Sequence, residues 1–231
     1  MGIKFTPERA LIVGRTAVIA DLHLGLENVL IEKGIAIPKV QLDEILERLD
    51  RVSKEVERVV IAGDLKHEFG KNLPYEWEDV KAVIDFLLSK DLEVVVVRGN
   101  HDNFLKAILA KFGIDLLDHY DVEGWRIVHG HKACDADKII MGHEHPAIKV
   151  RVDGVYTFHC FLRVRKDGRE IIVLPAFSPL VQGSDVTSCE FISPILAEVD
   201  CEEVEVYAVN DEVLYLGTIA DIKNLKIHQP F

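Results

Sequence analysis

Three apolar runs of strand length, each ending at the same kind of residue, constrain most what this chain can fold into. Thr16 to Ala20 runs into Asp21, Arg58 to Ala62 into Gly63-Asp64, and Leu92 to Val97 into Arg98-Gly99-Asn100. Short runs rich in β-branched and aliphatic residues, closed by turn signals, read as strands buried on both faces. Amphipathic stretches separate them. From near Pro38, the residues Leu42, Ile45, Leu46, Leu49, Val52 and Val56 fall on one stripe of 3.6-residue period, which predicts a helix with one face on the core. A second helix is predicted from near Tyr75 to Lys90, with Trp77, Val80, Ile84, Leu87 and Leu88 inward. A short third, through Leu105, Ile108 and Leu109, has Asp102 as its cap and stops at Gly113. Strands alternating with helices in this way build a parallel sheet with helices on it.

Beyond Ile114 the rhythm changes. Strands follow one another closely, separated by Glu123-Gly124, Asp153-Gly154, Asp167-Gly168 and Asn210-Asp211, which are signatures of tight hairpins. Ser178 to Ser193, with its glycine, prolines and serines, reads as the longest loop. A mainly antiparallel half must cover its apolar face, and the first sheet is the surface on hand. The expected fold is therefore α/β, a four-layer α/β/β/α sandwich of two mixed β-sheets flanked by helices, with residues 1–231 forming a single domain.

Composition limits the surroundings of such a fold. With 48% hydrophobic and 29% charged residues, the chain can bury a sizeable core. No apolar run approaches the roughly 18 to 20 residues that a membrane span requires. The N-terminus, Met1-Gly2-Ile3-Lys4-Phe5-Thr6-Pro7-Glu8-Arg9, lacks a secretory apolar segment, so a soluble cytoplasmic protein is expected. Cys134, Cys160, Cys189 and Cys201 show no paired spacing and read as reduced, mostly buried thiols. A net charge of −12 argues against gripping duplex DNA through a basic face. It leaves phosphate substrates open, because bound divalent ions can make one cleft positive while the remote surface stays acidic.

In open α/β sheets ligands gather at the carboxyl ends of parallel strands, where Asp21, Asp64 and Asn100 fall. His23, His101-Asp102, Val128-His129-Gly130 and Met141-Gly142-His143-Glu144-His145-Pro146 add imidazoles at similar apolar-to-turn boundaries. Carboxylate, amide and imidazole donors together suit borderline ions such as Mn²⁺, Fe²⁺, Zn²⁺ or Co²⁺. There are too many donors for one ion. Two ions roughly 3.5 to 4 Å apart, bridged by a carboxylate, would stabilise both the attacking and the departing oxygen of an in-line phosphoryl displacement.

Taken in order, D-x-H, G-D, G-N-H-D, H-G and G-H-x-H resemble the calcineurin-like metallophosphoesterases over the stretch from Asp21 to His145. The wording of Gly63-Asp64-Leu65-Lys66-His67-Glu68-Phe69 and Leu174-Pro175-Ala176-Phe177-Ser178-Pro179 is similar to the small phosphoesterases related to the SbcD nuclease. That branch includes archaeal members and bacterial ligase-associated DNA-damage-response phosphodiesterases. Only the phosphoesterase core is resembled, without an appended DNA-binding capping domain, so action on long duplex DNA is not expected.

The resemblance implies a ligand set. Asp21, His23 and His145 would bind one metal, Asn100, His129 and His143 the other, and Asp64 would bridge them. His129 and His131 compete for the fourth motif; the glycine directly after it favours His129, leaving His131 to substrate. His101 would be the general acid and Asp102 would orient its ring. The two divalent ions are expected to be Mn²⁺, with Fe, Zn, Ni or Co as alternatives, and would activate a hydroxide for attack on phosphorus. Lys66, His67 and Arg98, next to motif residues, could bind a non-bridging phosphate oxygen but read more simply as surface and strand-end residues. His119 and His228 read as solvated. The implied activity is phosphodiester hydrolysis on nucleotides, cyclic nucleotides or short single-stranded nucleic acid, and the resemblance admits a homodimer. A phosphomonoesterase, a nucleotide pyrophosphatase and a non-catalytic scaffold are the competing readings.

Overall fold

In the computed structural model, which describes residues 2–70, 73–151 and 153–227, the apolar runs pair side by side. An antiparallel hairpin of β1 (Ile3–Phe5) and β2 (Leu11–Val13) leads into β3 (Thr16–Ile19). After α1 (Leu26–Glu32) and α2 (Gln41–Ser53), β4 (Arg58–Ala62) adds parallel to β3. The next helix, α3 (Pro74–Ser89), crosses over to β5 (Glu93–Val97), and α4 (Leu105–Leu109) to β6 (Leu116–Leu117), both strands again parallel to their neighbours. The order in space is the order in sequence.

Alternation along these strands sorts the two faces. Ala17, Ile19, Val59, Ile61, Val94 and Val96 point to the helices, where Ile45, Leu49, Val80, Val83, Ile84 and Leu87 meet them. Val18, Val60, Ala62, Val95 and Val97 point the other way, onto Ile127, Ile140, Phe161, Ile172 and Leu174 of the second sheet. Both faces are thus buried, which is why the runs are continuously apolar.

The second sheet comprises β7 (Tyr120–Val122), β8 (Trp125–Ile127), β9 (Lys138–Met141), β10 (Pro146–Arg151), β11 (Val155–Lys166), β12 (Arg169–Val173), β13 (Ser184–Asp185), β14 (Glu205–Val209) and β15 (Val213–Thr218). Its order is β13-β10-β11-β12-β9-β8-β7, with β14 joining β11 to β15. All four anticipated turn pairs join antiparallel neighbours. Parallel pairings of β8 with β9, β9 with β12 and β10 with β13 make the sheet mixed. Its outer face, from Ile139, Met141, Ile171 and Val173, packs on Ile195, Leu196 and Val204 from 3₁₀ turns and on Ile219 and Ile222 of α5 (Ile219–Ile227). The four layers are present, the fourth being thin.

Four expectations shift, the first being the cap of α4, which is entered from Phe104 without a side-chain hydrogen bond, so Asp102 does not cap it. The helix anticipated from Pro38 begins at Gln41, and α1 precedes it as a separate seven-residue element too short for a periodic signal. Within the anticipated loop from Ser178 to Ser193, β13 pairs with Pro146 and Ala147. Cys189 and Cys201 form a disulfide, with Cα atoms 5.7 Å apart, because the intervening 3₁₀ turn folds the chain back on itself. Only Cys134 and Cys160 are free thiols among the described residues. His119 is exposed, whereas His228 lies outside the described residues. No helix among the described residues is long and apolar enough to cross a membrane.

Candidate metal centre

Five loops carry the chemistry, and each follows the carboxyl end of a strand: β3, β4, β5, β8 or β9. Backbone hydrogen bonds knit them together. Asp21 N–H donates to Gly63 O (3.1 Å), His23 N–H to Asp64 O (2.9 Å) and Gly142 N–H to His129 O (3.0 Å). The loops must bend sharply to do so, and Asp21, His23, Asp64, His143 and His145 all take positive φ, at 59°, 46°, 51°, 72° and 47°. Side chains other than glycine seldom occupy that region, and each instance costs on the order of 1 kcal/mol or more. Glycine is required where loops touch: a Cβ on Gly99 would lie 2.1 Å from Asp64 Oδ1, and one on Gly142 2.6 Å from Asp21 Oδ2.

Both aspartates anchor one oxygen and turn the other inward. Asp64 Oδ1 accepts from His101 N–H, and Asp21 Oδ2 from His143 N–H, each at 2.9 Å. Asp64 Oδ2 then faces His129, His23 and His101, whose Nε2 atoms stand 3.4, 3.8 and 3.9 Å away. Asp21 Oδ1 is buried without a hydrogen-bond partner, and His145 Nε2 approaches it to 3.3 Å. A buried charged acceptor left unanswered is strongly unfavourable, so this geometry fits a cation.

The imidazoles tell the same story. Because Ala62 O can only accept, His129 Nδ1–H donates to it (3.0 Å) and the ring's Nε2 is turned to Asn100 Oδ1 at 2.9 Å. Two lone-pair atoms that close repel unless a proton or a metal ion lies between them. Burial opposes charge on His129, but its hydrogen bond to Asp64 and the charges of Asp21 and Asp64 win, pushing it up to about 9. Burial pulls His23 down to about 3 and, with help from charged His129, His143 to about 4. Neutral imidazole is the form that binds metal, so His23 and His143 are ready as they stand, whereas the proton that Asp21 and Asp64 hold on His129 would have to leave as a cation takes its place. Burial works against ionised Asp64, yet its hydrogen bond to His129 and the charges of His129 and His23 hold it below the usual carboxylate range.

Three triplets bring their ligand atoms within 4.8 Å of one another: Asp21, His23 and His145; Asp21, Asp64 and His129; His23, His67 and His101. Asn100 joins through His129, whose ring lies 4.9 Å from that of His143. The donor set and the orphaned carboxylate oxygen fit divalent metal.

A family model described as calcineurin-like phosphoesterase matches residues 14–207, a span that contains every one of these loops. The chain belongs to that family. The phosphoesterase is accordingly a hydrolase, and its histidine and aspartate groups could hold metal. Its fold is similar to that of a solved structure, nuclease MPE from Pseudomonas putida, with a TM-score of 0.65 and 24% identity over 93% of this chain and 94% of that one. YfcE, a phosphoesterase from E. coli, gives a TM-score of 0.41 at 18% identity over 71% of this chain and 80% of that one. No curated protein matches the sequence.

In the phosphoesterase, two residues do something other than the sequence suggested. Among the described residues no hydrogen bond or ion pair links Asp102 to the His101 ring. Fully buried, its carboxylate accepts from the backbone N–H groups of Asp64 (2.9 Å), Gly99 (2.8 Å) and Leu65 (3.1 Å), so it ties the second motif to the third. The His101 ring is oriented instead by His67 O, which accepts from its Nδ1. Lys66, a candidate either for binding phosphate or for a surface or strand-end place, is completely buried; its ammonium donates to Glu68 O and lies 3.7 Å from Glu76 Oε2 on α3, which leaves it no surface to offer a phosphate oxygen. His67 does face the site, its ring stacked on His101 with centroids 5.6 Å apart. Arg98 and His131 line a cleft to one side.

Positioning groups that the motifs did not reveal hold the ligands. Buried Gln41, at the start of α2, donates from Nε2 to His23 O (2.9 Å), Leu22 O (3.3 Å) and Ser178 Oγ (3.1 Å). Glu27 Oε2 accepts from Gln41 N–H at 2.8 Å and fixes that helix start. Buried Glu144 accepts from the N–H groups of Ile192 and Ser193, and Ser193 Oγ donates to Gly130 O. A carboxylate inside the last motif is thereby linked to the loop after β8. Glu144 could be seen in the sequence as the variable position of G-H-x-H; Gln41 had no local signal.

Proposed function

We propose that this phosphoesterase hydrolyses phosphodiester bonds in nucleotides, cyclic nucleotides or short single-stranded nucleic acid, with two divalent ions, Mn²⁺ first among them. Asp21, His23 and His145 would hold one ion, Asn100, His129 and His143 the other, and Asp64 would lie between them. Bound there, the pair would supply a water acidic enough to react near neutral pH and positive charge to receive the phosphoryl oxygens. The observation that carries this reading is Asp64 Oδ2, buried and ringed by three imidazole Nε2 atoms at 3.4 to 3.9 Å.

His101 acts on the departing oxygen. With Nδ1–H given to His67 O, its Nε2 faces the centre 3.9 Å from Asp64 Oδ2, while the ring keeps partial access to solvent. That arrangement suits a proton donor that is reloaded from water after each turnover. Asp102 keeps the backbone of both motifs in register, and residues 1–231 serve as one catalytic domain. A nuclease sharing the fold accords with the choice of a diester.

The reading is tested by dialysing the protein against chelator, restoring Mn²⁺, and following bis-p-nitrophenyl phosphate and p-nitrophenyl phosphate in parallel. Metal-dependent release, faster from the diester, is expected. No metal-dependent release from either ester would refute the hydrolase mechanism, and release from the monoester alone would turn the assignment to a phosphomonoesterase.

A further inference from the structure

Where the loop after β5 faces the loop after β8, a cleft of about 500 Å³ opens, and it extends to His129. Arg98, Arg126, His131 and Lys132 line it, with Asp118 and Asp135 offsetting part of their charge. Arg98 stands two residues before Asn100, and His131 two residues after His129. The His131 ring lies 5.2 Å from that of His129 and 6.2 Å from that of His143, so the cleft is continuous with the metal centre.

Its nitrogen donors are not all occupied. Asp121 takes Arg126 in a bidentate pair, with both distances 2.9 Å. Arg98 Nε, in contrast, is shielded from solvent without a hydrogen-bond partner, the nearest carboxylate oxygen of Asp118 being 3.7 Å away. His131 Nδ1 is likewise shielded and unpartnered. Lys132 is exposed and enters no ion pair among the described residues. A guanidinium on Arg98 and an ammonium on Lys132 that no hydrogen bond engages among the described residues, beside a site that takes a phosphate, call for an anion with several acceptor oxygens. Guanidinium matches a phosphate in a way that a single carbonyl does not.

We propose that this cleft seats a second phosphate of the substrate, one nucleoside away from the bond that is cut. The phosphoesterase then favours molecules with at least two phosphates on one backbone over isolated diesters. The inference rests on the phosphodiesterase reading and narrows its substrate class. Because Asp118 and Asp135 share the cleft, recognition is of one seated phosphate and not of bulk negative charge. That also suits a chain whose net charge is −12.

The test offers the Mn²⁺-loaded enzyme the dinucleotide dTpdT and the same dinucleotide carrying a phosphate at its 5′ or its 3′ end. One phosphorylated form should be cleaved with a kcat/KM about tenfold above that of dTpdT. Arg98→Gln combined with Lys132→Ala should bring the ratio to near one, and Lys132→Ala alone, a change at an exposed position, should lower it part of the way. Equal kcat/KM for all three dinucleotides, or a preference that the double variant retains, overturns the proposal. Calorimetric binding of the same three dinucleotides to chelator-treated protein separates this outcome from failure of the diesterase reading. Tighter binding of one phosphorylated form, lost in the double variant, upholds the cleft whether or not bis-p-nitrophenyl phosphate is hydrolysed, and equal binding counts against it.

Discussion

His101 and His129 are both steered by a backbone carbonyl, that of His67 and that of Ala62, but they differ at the other nitrogen. His129 Nε2 meets Asn100 Oδ1 at 2.9 Å, whereas among the described residues no hydrogen bond engages His101 Nε2, which stands 3.9 Å from Asp64 Oδ2. His101→Ala therefore removes a proton donor and leaves the candidate ligands untouched. Metal content measured by atomic emission should stay at the wild-type level, while turnover of a diester with a poor leaving group should fall by roughly 10²- to 10⁴-fold. Loss of metal along with activity would instead make His101 a ligand, an outcome its place in the His23, His67, His101 triplet makes worth measuring. At this scale much was legible, because each motif lies within a few residues of a strand end and strand ends are readable from apolar runs. The role of Asp102 was not. Which amides meet its carboxylate depends on how two loops dock, and the identities of Gly99 and Asp64 do not encode that by themselves.

Helix α2 shows how an element can matter to chemistry that it does not perform. Its stripe of Ile45, Leu49 and Val52 buries it against β3 and β4, and this packing delivers Gln41 to the carbonyl of His23. Gln41→Ala should weaken binding of the ion assigned to Asp21, His23 and His145 by about 10- to 100-fold, as loss of a group that orients a ligand commonly does. A competition titration with a chromophoric chelator would read this directly. Affinity for the other ion should change less, and equal loss at both would mean that the helix serves stability alone. The periodic pattern predicted α2 and α3 to within a few residues. It could not predict α1, whose seven residues span only two turns, or the Glu27 contact that sets where α2 begins.

At the scale of the molecule, both sheets were readable from the change in rhythm at Ile114, but the closing of Cys189 on Cys201 was not. A separation of 12 residues carries no paired-cysteine signature, and the bridge depends on the 3₁₀ turn between them. The loop it closes contains Ser193, which reaches Gly130, so the bridge braces a segment that touches the site. Cys189→Ser with Cys201→Ser should cost about 3 kcal/mol, lowering Tm by roughly 6 to 12 °C in a chain of this size. Scanning calorimetry on the wild type with and without reductant should show the same difference, and coincident transitions would mean that the bridge contributes nothing. The left-handed backbones gathered at the site also decide how it can be mutated without confusion. An alanine or a branched residue at Asp21, Asp64 or His143 would remove a donor and impose a steric penalty at once, mixing a chemical defect with a folding one. Asparagine tolerates the same φ, and at the two aspartates it also keeps the shape, so it is the replacement whose consequences can be attributed to the lost charge or ring alone.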